Sequence, residues 1–207
     1  MVTKESMMNI SSPDEKSSKE IYDEAINAIN RALAEAKSLA IPLANTASLA
    51  TISEDKKPSV RTITICNVNT DGLLLFVNKN SGKAAHINLH PDVGLCFYWQ
   101  GLHLQLLLQG VAVEVSSDEA STWWQKQDRN FQLSAWASNT QNTLQTAEEK
   151  RASTKALFAD ERIPLPSHWT AYRIKPYRIE FWQANWKKHS ERYRYTKEGR
   201  YWTKHIL

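Results

Sequence analysis

Two stretches of the chain gather side chains suited to chemistry. The first is "NKNSGKAAHI", where Ser81, Gly82 and Lys83 stand between an apolar strand-like run and a helical one. The unpaired N–H groups and the dipole potential at a helix start attract a phosphate, and a lysine there adds a point charge. Ser-Gly at such a place is also an ordinary helix cap. Arg61, in "RTITI", lies on a strand next in sequence to the "LLLFVN" strand that delivers this loop. Two basic groups so placed can hold one phosphate. The second stretch is "IEFWQANWKKHSERYRY", residues 179–195. Its tryptophans, basic residues and histidine allow three readings: an active-site segment, a nucleic-acid patch, or a hairpin with aromatic packing.

The charge is uneven. The formal net charge is +4, yet residues 173–207 carry ten Lys/Arg against three Asp/Glu, a net of +7 that leaves about −3 for the rest. Such a segment suits an anionic partner, either a nucleic acid or the phosphate of a small ligand. Six glycines leave no room for a dinucleotide fingerprint or a P-loop. The six histidines show no metal spacing, and His86 and His90, four apart, read as helix-surface residues. Cys66 and Cys96 each sit in an apolar strand-like run and read as buried free thiols, so no disulfide and no metal site is expected.

The elements that must position these groups follow from periodicity and punctuation. Residues 17–40 read as an amphipathic helix on Ile21, Ala25, Ile29 and Leu33, capped by Ser17 or Ser18 with Glu20 in the first turn. Residues 1–16 are polar, have no signal-peptide core, and are expected to be disordered. "TASLATIS" and "SVRTITICNV" read as a strand pair, followed by a turn at Asp71-Gly72 and the strand "LLLFVN". "SGKAAHINLH" reads as a short helix stopped by Pro91, and "VGLCFYW" and "LHLQLLLQGVAVEV" as two further strands. "SSDEASTWWQKQ", with a capping box from Ser116 to Glu119, and "TAEEKRASTKALFA" read as helices. "AYRIKP", "YRIEFWQ", "ERYRYT" and "RYWTKHI" read as strands. Strands do not alternate with long helices, so the expected fold is mainly antiparallel β, a barrel with peripheral helices, in a single domain over 17–207. No apolar run reaches the roughly 18 residues of a membrane span, and a cytoplasmic location is expected.

In order along the chain, "PSVRTITI", "FVNKNSGKAAHINLHPDVGLCFYW", "QLLLQGVAVEVS", "SAWAS", "PLPSHWTAYRI", "RIEFWQ" and "ERYRY" resemble the pyridoxamine 5′-phosphate oxidase family of FMN flavoproteins. The resemblance covers about residues 58–207. It implies an FMN-binding split β-barrel, a homodimer with FMN at the subunit interface, and oxidation of a C–N or C–O bond. It implies cofactor roles for Arg61, Thr62, Ile63, Thr64, Phe76, Val77, Ser81, Lys83 and Gln105, and for Thr140, Gln141, Trp182 and Arg192, the last four in contacts across the dimer. Where the family usually has arginine in the phosphate loop, this chain has Gly82.

The substrate positions depart from the family. A lysine, a tyrosine, an arginine and a serine that grip the vitamin's phosphate have Cys66, Trp123, Gln127 and Phe131 as counterparts. None is cationic, and charge-assisted bonds to a phosphate are worth roughly 1.5–3 kcal/mol each. In place of the family's Arg-x-His over the reacting carbon stand Lys188 and Ser190. His189 is one residue off, which on a strand puts it on the other face. Lys188 and His189 remain the candidate catalytic groups. The resemblance weakens the nucleic-acid reading, because cofactor and hairpin account for the basic residues. Three functions stay open: an FMN-dependent oxidoreductase acting on a substrate other than a B6 phosphate, a genuine B6-phosphate oxidase whose clamp is rebuilt from Lys187, Lys188 or His189, and a flavin-binding protein without turnover.

Overall fold

A computed structural model describes residues 17–138, 146–159, 161–184 and 190–207. Five helices occur among them: α1 (Ser18–Ser38), α2 (Gly82–Leu89), α3 (Ser117–Trp124), α4 (Arg129–Ala137) and α5 (Ala147–Phe158). The strands are β1 (Thr46–Ile52), β2 (Pro58–Thr64), β3 (Asn67–Asn69), β4 (Gly72–Asn78), β5 (Asp92–Trp99), β6 (Leu104–Glu114), β7 (Trp169–Gln183), β8 (Glu191–Glu198) and β9 (Tyr201–Ile206). They form one sheet in the order β2-β1-β5-β6-β7-β4-β3, and β8 and β9 extend it from β7. All the pairings are antiparallel. The sheet curls into a half-barrel, which brings β2 against β4 although they lie near opposite ends of the strand order. The expected fold class is therefore the observed one.

Local chemistry fixes several elements. Ser17 caps α1 in a reciprocal capping box with Glu20. α1 lays Ile26, Ile29 and Leu33 into the barrel core beside Leu49, Leu75, Phe97 and Phe181. β4 reads as a continuous apolar run because both of its faces are buried. Leu73, Leu75 and Val77 enter the barrel core, whereas Leu74 and Phe76 enter a second core with Trp124, Leu133, Phe158 and Ile163. In that second core the Trp124 indole N–H donates to the Ile163 carbonyl at 2.9 Å.

Four readings of the sequence need correction. "SVRTITICNV" is two strands, because the chain leaves β1 after Thr64 and joins β4 at Asn67. At that corner the Ile65 N–H donates to the Asn45 carbonyl and the Cys66 N–H to the Leu74 carbonyl. "AYRIKP" and "YRIEFWQ" are one strand that runs through Pro176. The β6–β7 register shifts at Gln109/Gly110, so Tyr177 is the extra residue of a bulge, where a proline is tolerated. Gly110 lets the bulge close, since a Cβ there would lie 2.6 Å from the Lys175 carbonyl oxygen. The α3 cap is half a capping box: the Ser116 side chain accepts from the Glu119 N–H, but the Glu119 carboxylate is taken by Arg173 at 2.5 Å. Finally, α4 has no counterpart in the sequence reading, although Asp128 caps it by accepting from the Asn130 and Phe131 N–H groups. The expected disorder of residues 1–16 lies outside the described residues.

Candidate functional site

The residues singled out above fall into three groups. The first is a cationic corner. Alternation on β2 turns Arg61 inward with Ser59, and its guanidinium donates to the Leu49 carbonyl (3.2 Å), Thr51 Oγ1 (2.7 Å) and Ser59 Oγ (2.5 Å). Ser81 caps α2, its hydroxyl accepting from the Ala84 N–H at 3.4 Å. Lys83, in the first turn of α2, is half-buried and lies close enough to Arg61 to feel its charge. Burial holds the Lys83 ammonium below its ordinary pKa, and the Arg61 charge pushes it further down. Burial lowers Arg61 as well. No carboxylate among the described residues forms an ion pair with either cation. A helix start with two converging, uncompensated cations matches the chemistry of a phosphate.

His86 belongs to this corner and was misread as a surface residue. Its Nδ1 lies 3.0 Å from Thr51 Oγ1, the same hydroxyl that Arg61 holds. The signal was present in the sequence, because residues three apart on a helix share a face and Lys83 is three before His86. Thr62 and Thr64 are exposed on the other face of β2, whereas the side chains of Ile63 and Val77 lie in the barrel core. Any cofactor contact of Ile63 or Val77 is therefore through the backbone.

The second group is a row on the outer face of the sheet. Gln105 lies directly opposite Trp182, and Trp182 directly opposite Arg192. The alternate residues Leu106 and Leu108 point into the core, so Gln105 faces out. Two residues further along, on the same face, a second row runs across six strands: Thr62, Ser48, Cys96, Leu107, Glu180 and Arg194. A cleft of about 420 Å³ opens on this face, lined by Ser48, Val60, Cys96, Leu107, Glu180 and Arg192 among others. Three strand spacings separate β2 from β6, roughly 14 Å. The cationic corner and the Gln105 row thus stand apart within one protomer.

The third group is aromatic. Cys66, Trp123 and Phe131 all pack against the second core. The Phe131 ring centroid is 6.2 Å from Phe76, 6.0 Å from Trp124 and 5.9 Å from Trp169. Gln127 turns its amide back to the Trp123 carbonyl at 2.9 Å. Burial pushes the Cys66 thiol up to about 11, so it stays neutral at physiological pH. Both cysteines are free and half-buried rather than fully buried. The sequence reading missed one cation here: Lys126 Nζ lies 4.2 Å over the Trp123 ring. Ser190 is exposed. Thr140, Gln141, Lys188 and His189 lie outside the described residues, as does Lys187. Among the described residues no group of three or more His, Cys, Asp or Glu could hold a metal ion, and no helix is long and apolar enough to cross a membrane.

Comparison with known proteins bears on the family and the fold. Residues 33–161 match the family described as pyridoxamine 5′-phosphate oxidase, and residues 169–207 match the pyridoxine 5′-phosphate oxidase C-terminal dimerisation region. A pyridoxine/pyridoxamine 5′-phosphate oxidase of Myxococcus xanthus is 33% identical over 166 residues, 79% of this chain and 81% of that protein. One from Crocosphaera subtropica is 37% identical over 155 residues, 73% of this chain and 72% of that protein. Among solved structures, PhzG from Burkholderia lata in complex with tetrahydrophenazine-1-carboxylic acid superposes with a TM-score of 0.79 at 22% identity, covering 98% of this chain and 99% of that one. A pyridoxamine 5′-phosphate oxidase-related, FMN binding protein from Nostoc punctiforme gives 0.73 at 18% identity, covering 87% and 95%. The fold is that of the split barrels. The chain belongs to the pyridoxamine 5′-phosphate oxidase family.

Proposed function

We propose that the protein is a homodimeric FMN-dependent oxidoreductase that oxidises a C–N or C–O bond of a substrate other than a B6 phosphate. The observation that carries the cofactor reading is the Arg61–Lys83 corner, two cations at the start of α2 with no carboxylate partner among the described residues. An FMN phosphate would relieve their mutual repulsion. Gln105, Trp182 and Arg192 offer an amide, an apolar plate and a guanidinium in one row, as a ring system with polar edges requires. Gln105 would meet the FMN of its own subunit, whereas Trp182 and Arg192 would complete the site of the second subunit. The match to a dimerisation region over β7 to β9 supports that reading. Bound FMN would supply hydride acceptance, while the chain's own residues clamp the phosphate, fix the ring and exclude water.

The substrate reading rests on the third group. Cys66 is neutral, Gln127 is turned onto Trp123, and Phe131 packs among Phe76, Trp124 and Trp169. This surrounding favours a flat apolar group over a phosphate. Reconstitution with excess FMN, followed by anaerobic screening of amines and alcohols for flavin bleaching, tests the reading. No flavin uptake would refute it. Lys126 favours a second reading, a B6-phosphate oxidase whose clamp includes this lysine, in line with the names of the curated relatives. Efficient turnover of pyridoxamine phosphate that is lost in Lys126→Ala would establish it.

A further inference from the structure

Glu180 sits on β7 between Leu107 of β6 and Arg194 of β8, on the outer face of the sheet. It is 3% exposed in the protomer. Four N–H groups from three arginines surround its carboxylate. Arg192 donates Nε (2.8 Å) and Nη2 (2.6 Å) to Oε1, and Arg194 Nε (2.8 Å) and Arg178 Nη2 (3.2 Å) reach Oε2. A carboxylate has about four lone-pair sites, so this one is saturated. Burial alone would raise its pKa, but the bonds from Arg194, Arg192 and Arg178 outweigh that and hold it at about 2.

The two bonds to Oε1 fix Arg192 in one orientation. Arg192 stands opposite Trp182 in the register, yet its Nε and Nη2 lean two residues along β7 to Glu180. Its Nη1 takes no partner among the described residues, and the side chain is 48% exposed on the cleft that Glu180 also lines. A planar guanidinium held by one edge must present its opposite edge in a fixed direction. Buried ion pairs seldom add net stability over apolar packing, so stability alone is a weak reason for such a cluster.

We infer that Glu180 is a positioning residue for the flavin site, holding the Arg192 guanidinium so that its free edge meets FMN beside Trp182. This rests on the cofactor reading above. Glu180 touches neither cofactor nor substrate and acts through Arg192 alone.

The test is a cycle of FMN dissociation constants, read by quenching of flavin fluorescence on the full-length dimer. Glu180→Gln keeps the shape and loses the charge and half of the acceptors, and should weaken FMN binding at least about fivefold. In an Arg192→Ala background the same substitution should change the constant less than about twofold. Glu180→Asp keeps the charge but shortens the reach. It should keep the circular dichroism spectrum and the dimer mass, and still weaken FMN binding about threefold or more. Arg194→Ala, which removes a neighbour of Glu180 and leaves Arg192 held, should stay within about twofold of wild type. Equal losses from Glu180→Gln with and without Arg192 would overturn the inference, as would an Arg194→Ala loss as large as that of Glu180→Gln. An unsubstituted chain that binds no FMN would overturn the cofactor reading and this inference together. FMN binding that is weakened by Arg192→Ala but indifferent to Glu180→Gln and Glu180→Asp would overturn this inference alone.

Discussion

Arg192 lies directly opposite Trp182 in the β7–β8 register, and its guanidinium reaches sideways to the buried Glu180 rather than over the indole. The outer face of the sheet therefore carries a fixed charge pattern, one carboxylate among three guanidiniums, next to the row of candidate ring contacts.

That pattern has a pH signature. The Glu180 carboxyl is held at about 2, below its ordinary 4.5. A depressed carboxylate contributes stability that is present above the ordinary value and is lost as pH falls toward the folded one, here between about 4.5 and 2. Denaturant unfolding from pH 6 down to pH 3 should show a shallower acid dependence in Glu180→Gln than in the wild type. Parallel curves would show that the cluster is not coupled to folding.

The dimer should be needed for cofactor binding. Trp182 and Arg192 are proposed to complete the site of the second subunit, so a lone protomer holds only part of it. Light scattering should give twice the chain mass of 23.7 kDa, and dilution into monomer should release FMN. A monomer with full FMN affinity would contradict this.

Pyridoxamine and pyridoxine phosphates should be poor substrates, with oxygen-coupled kcat/KM below about 10⁴ M⁻¹s⁻¹, the low end of the ordinary enzyme range. The converse variant, Cys66→Lys with Gln127→Arg and Phe131→Ser, should raise affinity for both compounds. No change in that variant, with folding and FMN binding intact, would mean that these positions do not line the substrate pocket.

The Cys66 thiol should be sluggish. Burial raises its pKa to about 11, so the folded protein keeps the proton that an unfolded thiol loses from about pH 9. Iodoacetamide labelling at pH 8 should be at least tenfold slower in the folded protein than in urea, since the thiolate is the nucleophile. This group also makes stability fall as pH rises from about 9 to 11, because the native state then binds the extra proton. Labelling of Cys66 at equal rates in both states would show it to be unshielded.

Much of this was legible in the sequence. The α1 helix, the strand pair at β1 and β2, the Asp71-Gly72 turn and the Ser81 cap are local signals, each set by periodicity or by one capping residue. The β2–β3 break and the unbroken β7 were not legible, because they depend on which partner strand lies alongside. Pro176 looks like a strand end until the bulge at Tyr177 is set against Gly110 of β6. In the site, Arg61 and Lys83 could be paired from sequence because one loop and one neighbouring strand deliver them. The link from Thr51 to His86, the grip of Glu180 on Arg192 and the seat of Lys126 over Trp123 could not, since each joins side chains whose orientation only packing decides.

The central claim is that Arg61 and Lys83 form the phosphate clamp of an FMN site. The most direct measurement is an FMN titration of the wild type, Arg61→Ala and Lys83→Ala by flavin fluorescence, with circular dichroism as the folding control. Saturable binding at one site per subunit is expected, weakened more than tenfold by each substitution, about 1.4 kcal/mol or more. Failure of the wild type to take up FMN, or unchanged affinity in both folded variants, would contradict it.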